Sequence, residues 1–415
     1  MNVNQLFEQR ANFYITPSST VRGGMAFCLL LGILTVAYAF GVGQGTRFWG
    51  AYLFNLFFFF SLALGGVAFS AMQDVIGAVW GRPIKRLHEG FGAFIPVCTL
   101  LFVILLVAIL ANLGGARSVY RWIQDPSMVH GIFGKGFWLN EKFLIVRTVA
   151  ALVAITLLTV WQLKQSLKRD LAFVQGNRDE ALKLGQESKG KLRYWSGGVL
   201  VAYGVLFSML GFDLIMSLSP LWYSTLFGGW QFSVMMQTLM ATLLLIMFSL
   251  KNSPIGALIK RQQFHDVGKL MHGFTVFFAY LTYAHILTYW YGNIPEETEY
   301  FIHRLHGPWL YFVIGVPIFA FLIPLYGMIF KAAKWTAVVT IPMCLIILVA
   351  QWGTYLLLVM PEVVEGNTWN LPLIEIGTFV GFVGLFLATY FWFAKRFPMV
   401  GLADPLLAKS LQEHH

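Results

Sequence analysis

The chain has 415 residues, of which 58% are hydrophobic and 16% aromatic, while only 12% are charged, against roughly 25% in soluble domains. A soluble domain around a single core is excluded, because apolar residues in such excess must face lipid. The net charge of +10 is no nucleic-acid signature either, since the basic residues fall in connections on one side of a membrane, where they act as topology determinants.

Residues 1–22 are polar and lack the basic start and cleavage pattern of a signal peptide, so the first span is expected to be retained. Stretches of about 20 apolar residues, enough to cross a bilayer core, occur ten times, at 23–41, 49–72, 91–113, 143–161, 195–218, 227–248, 270–290, 309–330, 335–358 and 373–393. The second ends beside Asp74. The third opens with Arg86-Leu87-His88-Glu89-Gly90-Phe91-Gly92-Ala93-Phe94, and the seventh with Lys269-Leu270-Met271-His272-Gly273-Phe274-Thr275-Val276-Phe277. Both start from the same side, so this echo predicts a parallel repeat about an axis normal to the membrane. The expected fold is an all-α integral membrane protein with ten transmembrane helices. Helices two to five and six to nine form two four-helix bundles, flanked by helices one and ten, which divides the chain at 1–48, 49–218, 219–358 and 359–415.

Arg147 lies five residues into the fourth span, and a polar segment, 162–194, follows with eight Lys/Arg and a helix-like Leu163, Leu167, Leu171, Val174 series. It reads as a solvated extension of the fourth helix, with docking of a cytoplasmic partner as the alternative. Asp213 lies five residues before the end of the fifth span and His285 five before the end of the seventh. At 1.5 Å per residue, Arg147, Asp213 and His285 all sit about 7 Å inside one interface. Near the other interface are Asp74, His88 and Glu89 in the first bundle and Asp266, Lys269 and His272 in the second. Ionisable residues in spans raise a functional hypothesis by default. One reading of Arg147 and Asp213 is a buried ion pair that sets helix register, and one of His285 is a hydrogen-bonded core histidine. The other reading is a proton pathway of Arg147, Asp213 and His285 at the periplasmic side and of Asp74, His88, Glu89 and His272 at the cytoplasmic side, which suits the two-proton chemistry of a quinone.

Haem requires two facing histidines, and His88 with His272 is the single candidate pair. Cys28, Cys98 and Cys344 are scattered through apolar stretches, so no iron-sulfur cluster or zinc site is specified. The chain is expected to hold no cofactor covalently or by metal ligation, with quinone or quinol and lipid as the compatible ligands. After the seventh span, Trp290-Tyr291-Gly292-Asn293-Ile294-Pro295-Glu296-Glu297-Thr298-Glu299 reads as a helix start with Asn293 as N-cap. Glu296, Glu297 and Glu299 are candidates for docking a basic cytochrome domain. Connections on the side of both termini carry 22 Lys/Arg against six on the other, so both termini are expected in the cytoplasm and Glu296 outside.

The stretch Trp290–Glu297, with Gly268 and Lys269 heading the same helix, resembles ActF, a large membrane subunit of bacterial alternative complex III, itself related to NrfD and the polysulfide reductase membrane subunit. Phe212-Asp213, Met216-Ser217-Leu218 and Trp222 to Gly228 resemble that family's segment after helix five, and Lys135, Leu139-Asn140, Phe143 and Arg147 its segment ending on helix four. Ser219-Pro220-Leu221 and Ala284-His285 depart from the pattern, so Arg147 and Asp213 sit in matching motifs and His285 does not. The resemblance implies a subunit, without redox cofactors of its own, of a quinol:cytochrome c or other electron-acceptor oxidoreductase of the respiratory chain in the bacterial cytoplasmic membrane. Its implied partners are an ActC-like paralogue, an iron-sulfur protein, multihaem cytochrome c and a terminal haem-copper oxidase. The alternatives are an NrfD-like anchor of a molybdenum or sulfur-compound reductase and, from another class, a secondary transporter.

Overall fold

The computed structural model describes residues 8, 10–130, 135–364 and 372–412. Among them all regular structure is helical, and ten helices are long and apolar enough to cross a membrane: α1 Ser19–Gly41, α2 Gly45–Val75, α3 Lys85–Leu110, α4 Glu141–Val174, α5 Arg178–Leu218, α6 Phe227–Ser249, α7 Arg261–Gly292, α8 Trp309–Gly327, α9 Ala337–Val363 and α10 Leu373–Arg396. The protein is an all-α integral membrane protein. The first and last described segments meet at one end of the bundle, where the Met399 N–H donates to the Phe13 carbonyl; this is here termed the terminal end, and the connection from α7 to α8 lies at the far end.

Contacts close α2–α5 into one ring and α6–α9 into another. The bundles meet through α2 against α9 and α5 against α6, contacts that exchange when the bundles exchange, as a parallel repeat requires. α2 is the axis of the molecule, its apolar window wholly buried, so its four consecutive phenylalanines, Phe57 to Phe60, pack against protein on all sides. α1 and α10 flank the bundles together, packed along each other against α2. They approach so closely that a Cβ on Gly32 would lie 2.7 Å from the Gly381 Cα. Such contact is open only to glycine and suits helices that attract by packing rather than by the hydrophobic effect.

Several boundaries move outward from the apolar stretches. α3 begins at Lys85, which carries Arg86, His88 and Glu89 into a buried helix; residues Gly90–Phe94 then tighten into a 3-10 turn. In α7 the matching echo lies in a regular α-helix with Phe277 exposed, whereas α10 packs over the first copy. The polar segment is a helical hairpin that prolongs both α4 and α5, turning at Gly176 with φ +93°. It is only partly the solvated extension expected: Gln162 and Ser166 are buried against α2 and α3 through Val67 and Glu89, and Arg169, Asp170 and Gly185 are buried under the C-terminal segment. Asn293 is also corrected. With φ 45° and ψ 38° it ends α7 in the left-handed region, while the next helix, Pro295–Arg304, starts after Ile294 with Pro295 in its first turn.

Candidate functional site

At the far end of the second bundle a cavity of about 460 Å³ opens between α6, α7, α8 and α9 under the short helix Pro295–Arg304. Its walls are aromatic: Trp222, Phe227, Trp230, Phe278, Tyr289 and Tyr300 are among the lining residues. Three local devices shape it. α8 contains Pro317, which removes a backbone donor, and runs on into a π-helical turn, Ile318–Leu322, a feature that widens a helix and recurs at functional sites. The Ala320 carbonyl accepts from Gln237 Nε2 at 2.8 Å, and Gln237 also bonds Thr275 and Gln351, so the disturbed backbone is satisfied by a buried amide network.

Arg304 supplies the second device, stapling the short helix to the end of α9. It donates to the Leu357 and Leu358 carbonyls at 3.1 and 3.3 Å, and pairs with Glu362 at 2.9 Å. The third is a stack: the Arg304 guanidinium lies 3.5 Å over the Tyr300 ring, which lies 4.0 Å from Trp222 at 5°. Burial pushes the Tyr300 hydroxyl up to about 12 against the opposing pull of Arg304, so it is a neutral hydrogen-bonding group at any physiological pH. His285 is 8% exposed, lines the cavity and packs edge-on against Trp230, and its Nε2 has no hydrogen-bond partner among the described residues. A largely apolar, aromatic-walled cavity with one imidazole nitrogen that no described residue engages has the chemistry to take an aromatic ring bearing a carbonyl or hydroxyl.

The other residues expected at this depth lie apart from the cavity. Arg147 and Asp213 form a two-pronged ion pair between α4 and α5, Nε to Oδ2 at 2.9 Å and Nη2 to Oδ1 at 2.7 Å. Trp138 donates its indole N–H to Asp213 at 3.0 Å and accepts from Arg147 through its carbonyl. Neither side chain lines the cavity, so His285 is separated from the pair. Of the docking acids, Glu296 and Glu299 are exposed and Glu297 half-buried. Burial lowers the titration of Lys135, partly offset by Glu297; the Lys135 ammonium donates to the Pro220 carbonyl.

The terminal end of the first bundle holds a buried ion network. Asp74 accepts from Lys85 at 2.6 Å and Arg82 at 3.0 Å. Glu89 pairs with Arg86 at 3.0 Å and accepts from Ser70 at 2.7 Å and Ser166 at 3.0 Å. Arg86 reaches on to Asp170, and Asp404 joins Arg82 to Arg169. Asp74 and Glu89 were legible as members; Arg169 and Asp170 read as part of a solvated charge run, and their one signal is that Gln162, Ser166, Asp170 and Phe173 recur at helical spacing beside the leucine series. His88 is fully buried, its Nδ1 2.8 Å from the Gly66 carbonyl and its ring on Phe69. His272 sits half-buried on α7, and among the described residues no hydrogen bond or ring contact joins it to His88. Asp266 and Lys269 pair with each other at 2.7 Å. No group of three or more His, Cys, Asp or Glu is placed to hold a metal ion among the described residues. No protein-family model matches the chain, and no curated protein is similar to it in sequence.

Proposed function

We propose that the chain is an integral membrane subunit of a quinol-oxidising respiratory complex of the alternative complex III kind, which binds the quinone ring in the second-bundle cavity and carries protons through its buried ionisable groups. The observation that carries this reading is the aromatic cavity with the unpartnered His285 Nε2. A quinol ring stacks on indole and phenol faces, and its hydroxyl hydrogen-bonds a neutral imidazole that can take the proton released on oxidation. The sequence resemblance at Trp290–Glu297, Asp213 and Arg147 supports the same assignment.

In this reading Arg147, Asp213 and His285 serve proton release at the far end, and Asp74, His88, Glu89 and His272 serve uptake at the terminal end, with both termini cytoplasmic in a bacterial inner membrane. Electrons leave through partners: an iron-sulfur protein and multihaem cytochrome c beside an ActC-like paralogue, with Glu296, Glu297 and Glu299 facing the cytochrome. The test is purification of the complex through this chain, with its haem, iron-sulfur and subunit content, and quinone-analogue binding by native and His285→Ala protein. Co-purified multihaem cytochrome c and binding weakened in the variant are expected. A molybdopterin subunit in place of the cytochrome assigns the NrfD-like anchor instead, and solute flux by the isolated chain assigns a transporter.

A further inference from the structure

Within the terminal-end network, the membrane helices and the connection from α2 to α3 supply three acids and four bases, all at most 7% exposed, a surplus of one positive charge. The eighth member, Asp404, comes from the C-terminal segment and cancels that surplus, accepting from Arg169 Nη2 at 2.7 Å and from Arg82 Nη1 at 3.2 Å. Burial raises the Asp404 carboxyl, but Arg169, Arg82 and Lys85 outweigh it and hold it well below the usual carboxylate range. The segment is tied along its length: the Met399 N–H donates to the Phe13 carbonyl at 2.7 Å, the Ala403 N–H to Asp170 at 2.9 Å, and Lys260 Nζ to the Leu411 carbonyl at 2.9 Å. Where it crosses the polar hairpin, a Cβ on Gly185 would come 2.5 Å from the Ala403 carbonyl oxygen. It thus runs from the α1 side, over the mouth of the first bundle, to the α6–α7 connection.

We propose that Asp404 is a positioning residue for the proton route at this end: by neutralising the buried bases it seats the C-terminal segment as a strap that keeps bulk water from Asp74 and Glu89. The inference rests on those two carboxylates carrying protons. A buried guanidinium stripped of its counter-charge is costly and is relieved by admitting water, so the strap stays closed only while the network is neutral.

The test uses the assembled complex in proteoliposomes with three variants: Asp404→Asn, Asp404→Glu, and Asp404→Asn with Arg169→Gln, which restores neutrality. Tryptic cleavage after Arg396 and Lys409, which bracket the segment, modification of Asp74 and Glu89 by a water-soluble carbodiimide with glycine ethyl ester read by mass spectrometry, and the proton-to-electron ratio are measured. Asp404→Asn is expected to speed cleavage and modification at least ten-fold and to change the ratio, while Asp404→Glu and the double variant behave as native. An Asp404→Asn protein as protected as native overturns the proposal. So does a double variant that fails to accumulate or is cleaved like the single one, which keeps the test decisive should Asp404→Asn alone not fold. If Asp404→Asn opens the strap with an unchanged proton-to-electron ratio, the segment is a strap but the proton reading of Asp74 and Glu89 fails, and the positioning role with it.

Discussion

His285 and Asp213 were paired by depth in the sequence, and their surroundings differ in a way that separates their expected responses. His285 lines the apolar cavity with its Nε2 unengaged by any described residue, so His285→Ala removes a hydrogen bond worth about 1 kcal/mol and weakens binding of a quinone analogue roughly five-fold, with the protein still accumulating. Titration of analogue fluorescence or thermal shift in detergent reads this directly; equal affinity in the variant would move the ligand out of this cavity. Asp213 instead has three donors on its two oxygens. Asp213→Ala leaves Arg147 unpaired and costs on the order of 3 to 5 kcal/mol for a broken buried pair, so that variant is expected not to assemble. Asp213→Asn keeps the shape but cannot take a proton, and it should assemble with proton release impaired. Native turnover and native proton release by assembled Asp213→Asn would leave the pair a purely structural clamp between α4 and α5.

At the scale of elements, the cavity depends on a helix that departs from α-geometry. The amide of Gln237 satisfies the Ala320 carbonyl in the π-helical turn of α8. Gln237→Leu fills similar volume but leaves that carbonyl unpaired, a loss of about 1 to 3 kcal/mol, and is expected to lower the unfolding temperature in detergent together with analogue affinity; a change in neither would show that the turn holds its shape without the amide. The α1–α10 pair depends on close approach. A side chain on Gly32 would overlap the Gly381 backbone, so Gly32→Val should cost about 1 to 3 kcal/mol by overpacking and loosen α1, measured as crosslinking efficiency between paired cysteines on α1 and α10. Unchanged crosslinking would mean that lipid, not α10, holds α1 in place.

For the whole molecule, orientation follows from the charge asymmetry of the connections: a cysteine at position 296 should react with impermeant reagent from outside, and one at position 413, beyond the described residues, only after the membrane is opened. The reverse pattern would invert the protein. The strap adds a pH expectation. The folded Asp404 carboxyl titrates below its unfolded value near about 4, so its contribution to seating is complete above that value and is lost as pH falls toward the folded one. Amide hydrogen exchange of residues 397–412, corrected for the intrinsic pH dependence of exchange, should therefore show protection that is constant from neutral down to about pH 5 and lost only in stronger acid; protection lost on alkalinisation would point to a basic group instead.

Span number, the two rings of four and the Arg147–Asp213 pair were open to sequence reasoning because each depends on local signals: runs of apolar residues, an echoed motif, and equal depth from a shared interface along adjacent helices. Asn293 was misplaced by a short-range rule, since one residue between two helices can cap either and only its left-handed backbone decides which. Arg169, Asp170 and Asp404 could not be grouped with Asp74 and Glu89, because hydrophilic residues near a membrane read as solvated until the segment that covers them is in place, and that segment lies 235 residues from Arg169 in the chain. The cavity was equally out of reach: tryptophans, tyrosines and one histidine on α6, α7, the connection before α6 and the short helix Pro295–Arg304 become a site only when packing leaves a gap among them. The sequence by itself determined that the chain lives in lipid and how often it crosses, since transfer energies act residue by residue. The tertiary structure alone decided which of those charges neutralise one another and where apolar walls leave room for a ligand, because both depend on which helix faces meet.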